Sequence, residues 1–220
     1  MTGVRIRQRE QTRKALIHEA RTLFAQRGYG AVGLAEIVAA AGVTKGALYH
    51  SFDGKIGLFR EVLAQVQAEV ADRVSTSVSS GADPWTSFVA GCRAFLSVSN
   101  DPELSRIMLI DGPAVLGWSE WRRLDEQTSA RHLAESLQQL VDDGVIVSQP
   151  VEPLTRLLSG AMNESALWLA ESGRAGDGEA VWNVFHGLLC SLRERQPDGP
   201  GRGTAGQASV APSASDGSET

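Results

Sequence analysis

The chain has 220 residues, with 21 basic and 26 acidic side chains for a net charge of −5, and 42% of it is hydrophobic. That composition supports a buried core and excludes wholesale disorder, and the length fits one or two ordinary domains. Two cysteines, Cys92 and Cys190, are too few for a disulfide scaffold; with no apolar leader and no apolar run of about 18 residues, the expectation is a cytoplasmic protein without a membrane span.

From about Arg9 to Arg27, Leu16, Ala20, Leu23 and Phe24 fall on one helical stripe, and Gly28-Tyr29-Gly30 ends it. A short helix over Leu34–Ala41 carries Leu34, Ile37 and Val38 on one side. Gly42-Val43 breaks it, and Thr44 caps another short helix over 45–52. Asp53 opens a longer one bearing Phe59, Val62, Leu63, Val66, Val70 and Val74. Residues 1–60 hold ten basic and four acidic side chains, a net +6, whereas the remaining 160 hold 11 and 22, a net −11. This asymmetry predicts that only the N-terminal part meets a polyanion.

Asp83-Pro84 starts a helix through Trp85, Phe88, Cys92, Phe95 and Leu96, with proline in the first turn. Asp101-Pro102 starts a short one with Leu104, Ile107 and Met108, and Asp111-Gly112-Pro113 reads as a break. A single long helix is predicted over about 117–143, ended by Gly144, followed by helices over 152–172 and 178–194. Only Val145-Ile146-Val147 is strand-like, too little for a sheet. The fold class is all-α. From Gln196 the composition turns to Gly, Ser, Pro and Ala with one large aliphatic residue, Val210, which predicts a disordered tail over 196–220.

Residues 33–52, GLAEIVAAAGVTKGALYHSF, have the build of a helix-turn-helix. Ile37, Ala41, Val43 and Leu48 form its small core, Ala39 and Ala40 permit close packing, and Gly42 makes the turn. Thr44, Lys45, Gly46, Tyr49 and His50 then point away from that core. A cation, hydroxyls, an imidazole and a glycine suit a major-groove helix. The same pattern also fits an αα-hairpin in a bundle, which keeps a helical protein–protein interaction module without DNA binding as the alternative.

The run AGVTKGALYHSFDGKIGLF, within Arg13–Phe59, resembles the N-terminal DNA-binding domain of the tetracycline-repressor (TetR) family. The matching positions are Gly42-Val43, Thr44-Lys45, Leu48-Tyr49, Phe52, Lys55 and Leu58-Phe59, and Asp111–Trp121 is similar to segments of that family's regulatory domains. The resemblance implies a three-helix DNA-binding domain over 10–70 and a helical effector-binding and dimerisation domain over 71–195. It implies a homodimer that binds double-stranded operator DNA, and a repressor released by a small apolar or amphipathic effector. The DNA contacts it implies are Thr44, Lys45, Gly46, Ala47, Tyr49 and His50 on the recognition helix, with Lys55 on a phosphate. An arm bearing Arg5, Arg7 and Arg9 follows the backbone or a minor groove. Two departures stand out: Gly33 replaces the usual Ser or Thr opening the second helix, and Ser51 stands where histidine is common. An effector pocket is expected among Phe88, Cys92, Phe95, Met108, Trp118, Trp121 and Met162. Leu154, Leu158, Ala161, Ser165 and Trp168, with Val181, Phe185, Leu188 and Leu192, form stripes expected to pair across a two-fold axis into a four-helix bundle.

Other motifs carry less. Gly28 to Gly33 spells G-x-G-x-x-G, but dinucleotide binding needs a buried strand before the glycines, and a basic amphipathic helix precedes them here. His186 and Cys190 lie four apart without a nearby third ligand. No nucleophile elbow, phosphate loop or H-E-x-x-H occurs, so the expectation is no catalytic residue, no metal and no cofactor.

Overall fold

The computed structural model describes residues 2–77, 81–172 and 174–193. Among them, eleven α-helices follow one another: α1 (Thr2–Arg27), α2 (Leu34–Ala40), α3 (Lys45–Ser51), α4 (Gly54–Thr76), α5 (Pro84–Leu96), α6 (Pro102–Ser105), α7 (Gly112–Leu116), α8 (Trp118–Glu126), α9 (Ser129–Asp142), α10 (Val151–Ser172) and α11 (Asp177–Cys190). A 3₁₀ turn at Ser97–Asn100 and a π-helical segment at Arg106–Asp111 complete the path. The all-α class stands. The expected tail over 196–220 lies outside the described residues.

The first three helices and the start of α4 form the head. Leu16, Ala20 and Phe24 of α1, Ile37 of α2, Leu48 of α3 and Phe59 of α4 are fully buried together, and the Phe24, Tyr29 and Phe59 rings pack at 5.0–5.5 Å. α4 then leaves the head and continues without interruption into the body. There it packs on α5 and α9, with α10 closing the far side against α5 and α9.

Several local expectations change. α1 begins at Thr2 rather than near Arg9, because the run RIRQREQTRK is made of strong or tolerant helix formers and needs no packed face to remain helical. The break expected at Asp111-Gly112-Pro113 is absent, and the π-helical segment runs directly into α7. Pro113 sits in the first turn, where its missing N–H costs little. Gly112 serves close packing, since a Cβ there would meet Trp121 Cδ1 at 2.7 Å. The single helix expected over 117–143 divides at Gln127–Thr128, where the Thr128 hydroxyl donates back to the Leu124 carbonyl at 3.2 Å. α11 ends at Cys190, and the chain then turns so that Arg193 makes an isolated antiparallel bridge with Ile146. That bridge is the whole outcome of the strand-like Val145–Val147.

Candidate functional site

α2 and α3 are joined at Gly42, whose φ of +64° favours glycine. The Thr44 hydroxyl accepts the Ala47 N–H at 3.2 Å and fixes the start of α3. Leu48 anchors α3 inward, and Thr44, Lys45, Gly46, Tyr49 and His50 are exposed on its other side, with Ala47 half-buried between them. Lys45 Nζ lies 6.0 Å from the centre of the Tyr49 ring. One turn of protein surface therefore presents a cation, a phenol and an imidazole. Gly33 caps α2 without any side-chain bond, so that helix opens with free backbone donors.

The N-terminal arm continues α1 as a helix. Arg7 and Arg9 are exposed, and an Arg9 guanidinium N–H donates to the His50 carbonyl at 3.4 Å, tying the arm to α3. The Arg5 side chain lies outside those described. Lys55 is placed differently from an open phosphate contact. Its Nζ donates to the Tyr29 carbonyl at 2.5 Å and stands 3.9 Å from the centre of the Tyr29 ring. Burial pushes this amine below the usual lysine range, with Asp111 pulling the other way.

Sequence reasoning passed over the contact between head and body. Asp111 Oδ2 accepts the Tyr29 N–H at 2.8 Å, and Arg106 packs so closely that a Cβ on Gly28 would meet its guanidinium at 2.7 Å. Both residues sit on the π-helical segment. Arg21 pairs with Glu103, Arg60 with Glu120 at 2.6 Å and Arg73 with Asp101 at 3.1 Å, all bridging helices of the head and α4 to the 101–120 segment. Single exposed pairs contribute little stability. Their value here is positional, because they fix the head's angle against one short segment. The acidic residues of 101–120 were visible in the sequence, but nothing there gave their partners.

In the body, α4, α5, α9 and α10 line a partly open cavity of about 350 Å³, within the usual range for small-molecule sites. Phe88, Cys92, Phe95 and Met162 line it, joined by Leu133 and by Ala71 and Val74 of α4. Burial pushes the Cys92 thiol up to about 12. Met108, Trp118 and Trp121 are not on its wall. Met108 is fully buried in the core. Trp121 is buried against Gly112 with its indole N–H donating to the Met108 carbonyl at 2.8 Å, and Trp118 is largely solvent-exposed. The cause is the division of the predicted long helix, which puts α8 beside α7 and leaves α9 to form the cavity wall. Polar residues, notably Ser129, His132 and Ser159, line it as well.

The outer face of α10 and α11 is a shallow apolar groove. Ala161, Ser165, Trp168, Val181, Phe185 and Leu188 of the expected stripes line it, together with Val184. Leu154 and Leu158 are buried in the chain's own core, Phe185 is buried at the floor of the groove, and Leu192 is half-buried near the end of α11. The reason is that both helices are apolar on two sides. Leu157, 71% exposed, and Val184, 69% exposed, belong to the outward side and fall outside the predicted stripes. His186 and Cys190 approach to 3.6 Å, and no cluster of three metal-ligating residues occurs among the described residues.

A helix-turn-helix head on a helical body with a cavity open to solvent is the architecture of a one-component transcription regulator. Residues 16–62 match the bacterial regulatory proteins of the tetR family, and residues 85–192 match the tetracyclin repressor-like C-terminal domain. A TetR-family transcriptional regulator from Pectobacterium atrosepticum is 32% identical, with a TM-score of 0.70 covering 86% of this chain and 97% of that one. The chain is 24% identical to the transposon Tn10 TetC protein of Escherichia coli over 187 residues, 84% of this chain and 94% of that protein. It is 38% identical over 71 residues to the HTH-type transcriptional repressor KstR2 of Rhodococcus jostii (strain RHA1), 32% of this chain and 35% of that protein. The chain belongs to the TetR family of DNA-binding transcriptional regulators. Among the described residues, no helix is long and apolar enough to cross a membrane.

Proposed function

We propose that the protein is a homodimeric repressor that leaves its operator when a small molecule enters the body cavity. One observation carries the reading: α4 holds Lys55 and Arg60 at the head and lends Ala71, Val74 and Ser75 to the cavity wall, so a single rigid helix touches both sites. The outward groove of α10 and α11 supports pairing of two copies through these helices, which positions two heads. Two heads bind together only when their spacing meets half-sites about 34–36 Å apart, or a related whole-turn distance. A ligand that displaces the far end of α4 changes that spacing.

In this reading Lys45, Tyr49 and His50 address base edges, while Thr44, Gly46 and Ala47 allow close approach. Arg5, Arg7 and Arg9 follow the backbone. Lys55, whose ammonium keeps further donors beyond the one given to the Tyr29 carbonyl, reaches phosphate from the turn that Asp111 grips, which couples DNA contact to that turn. The effector lies against Phe88, Cys92, Phe95 and Met162. Allosteric coupling of this kind is typically about 1–3 kcal/mol, a 5–150-fold change in operator affinity, and it is reciprocal. The test begins with DNA fragments retained by the purified protein. Binding to the recovered operator must fall steeply with salt, as counterion release requires. A ligand must then bind free protein more tightly than operator-bound protein by the factor through which it weakens DNA binding. Equal ligand affinity in the two states sinks the switch.

A further inference from the structure

A closed ring of charge ties the head to the body along one side of α4. Arg21 of α1 follows Ala20, a fully buried residue of the head core, so its backbone moves with the head. Its guanidinium pairs through Nε with Glu103 of α6 and through Nη2 with Glu69 Oε2 of α4 at 2.7 Å. Glu69 Oε1 accepts from Arg73 Nη2, one turn further along α4, at 2.6 Å, and Arg73 Nη1 donates to Asp101 Oδ2 at 3.1 Å. Asp101 closes the ring, because its Oδ1 accepts the Glu103 N–H at 3.1 Å and caps the start of α6. Glu103, Arg21, Glu69, Arg73 and Asp101 thus join α1, α4 and α6 in a single circuit.

Glu69 is its centre. Burial pushes the Glu69 carboxyl up, but Arg21 and Arg73 outweigh burial and hold it below the ordinary range. A lone exposed pair contributes little, because its side chains are free to part. A guanidinium that commits two nitrogens to carboxylates on two different helices is fixed in direction as well as distance. Arg60 and Glu120 pair at 2.6 Å on the far side of α4, since Arg60 precedes Glu69 by about two and a half turns. α4 is therefore held on opposite sides, and a tilt of the head lengthens contacts on one of them.

The helix converts tilt into distance. From Glu69 to Lys55 it is about 21 Å long, at about 1.5 Å per residue. A tilt of about 5° at the ring moves the head end by about 2 Å, so two heads change their separation by about 4 Å, against about 3.4 Å for one base pair. A rigid connection concentrates the second head at one distance, whereas a loose one spreads it over several.

We propose that Arg21 and Glu69 are positioning residues for DNA recognition, and that the ring they form restricts the regulator to one half-site spacing. The proposal rests on the homodimeric, operator-binding reading and assigns its spacing selectivity to side chains outside the DNA contacts.

The test uses the operator recovered from DNA retained by the purified full-length protein, prepared in its own spacing and with one base pair inserted or deleted at its centre. A duplex holding a single half-site serves as the reference for the head alone. Fluorescence anisotropy at constant salt should show the unaltered protein binding both altered duplexes about tenfold or more weakly than the operator. Arg21→Lys keeps the charge but replaces two directed nitrogens with one rotating ammonium, and Glu69→Gln keeps the shape but loses the charge. Each should reduce the preference to about twofold, with affinity for the single half-site within about twofold of the unaltered protein. If Glu69→Gln does not fold, Arg73→Lys is read in the same way. A spacing preference kept in folded Arg21→Lys and Glu69→Gln overturns the proposal and leaves the homodimeric reading standing. A loss of affinity that is equal on all four duplexes makes Arg21 a direct DNA contact and also overturns it. An unaltered protein that binds all three spacings alike removes the homodimeric reading together with the role of the ring.

Discussion

The two ends of α4 lie in opposite kinds of protein. Around its first turns, the head buries only apolar side chains, stacked as Leu16, Phe24, Ile37, Leu48 and Phe59, and keeps its charges outside. Around its last turns, the body buries Asp125, Thr155, Ser159 and Asn163 and surrounds a cavity. Every buried polar side chain among the described residues lies at Gln67 or beyond. A reading head has to hold its side chains in one geometry, and a small close-packed core gives that rigidity. A sensing body has to change on binding, and an unfilled cavity leaves it room to do so.

The largest expected effect comes from separating two heads while leaving each intact. Ala161→Glu or Leu188→Glu places a charge in the outward groove of α10 and α11, and either should give a folded monomer. Loss of the second half-site should weaken operator binding by about 100-fold or more. Sedimentation and DNA anisotropy check both parts, and a native chain that is monomeric at micromolar concentration removes the basis for the comparison.

Next come the reading residues. Tyr49→Ala and Lys45→Ala should each weaken operator binding by about 1–3 kcal/mol, with unchanged melting temperature because both side chains are exposed. Wild-type affinity in both variants would mean that α3 is not the recognition helix.

A smaller effect is expected at the junction. Asp111→Ala removes the acceptor of the Tyr29 N–H and frees Lys55 from a nearby carboxylate. Ligand affinity of the free protein should stay the same, while ligand–operator coupling falls by about 0.5–2 kcal/mol. Measuring ligand affinity with and without operator separates this from simple destabilisation.

The smallest is a pH effect inside the cavity. Cys92 is pushed up to about 12 by burial, whereas an unfolded cysteine ionises near about 8.5. Its stabilising preference for the thiol is complete below the unfolded value and is lost as pH rises toward the folded one. At pH 9.5 this amounts to about 1 kcal/mol, so the stability of Cys92→Ala should fall less steeply between pH 8 and 10 than that of the native chain. Identical slopes in denaturant titrations would show that the cavity wall is already solvated.

The head was legible because its chemistry is local. Gly42, Thr44, Leu48 and Tyr49 each act on neighbours within a few residues, so spacing alone puts Leu48 inside and Tyr49 outside. In the body Phe88, Cys92, Phe95 and Met162 line the cavity, whereas Met108, Trp118 and Trp121 lie away from it. An aromatic stripe does not state whether it faces a cavity, a core or water, and Trp121 was settled by Gly112, whose missing Cβ admits the indole. Leu154 and Leu157 show the same limit, since both are leucines on one helix and only the packing of α9 and α5 makes one of them inward.

What the sequence by itself determined is the class: an all-α chain, a basic head with a helix-turn-helix, and an acidic helical body. Those follow from helical periodicity, caps and charge, which act over a turn or two of chain. Tertiary structure alone decided where the long helix divides, which face of α10 and α11 stays open, that Lys55 and Asp111 hold opposite sides of Tyr29, and that Asp125 and Asn163 are buried with unmatched oxygens. Each of these depends on residues far apart in the chain competing for the same space or the same hydrogen bond, and that competition exists only once the helices have packed.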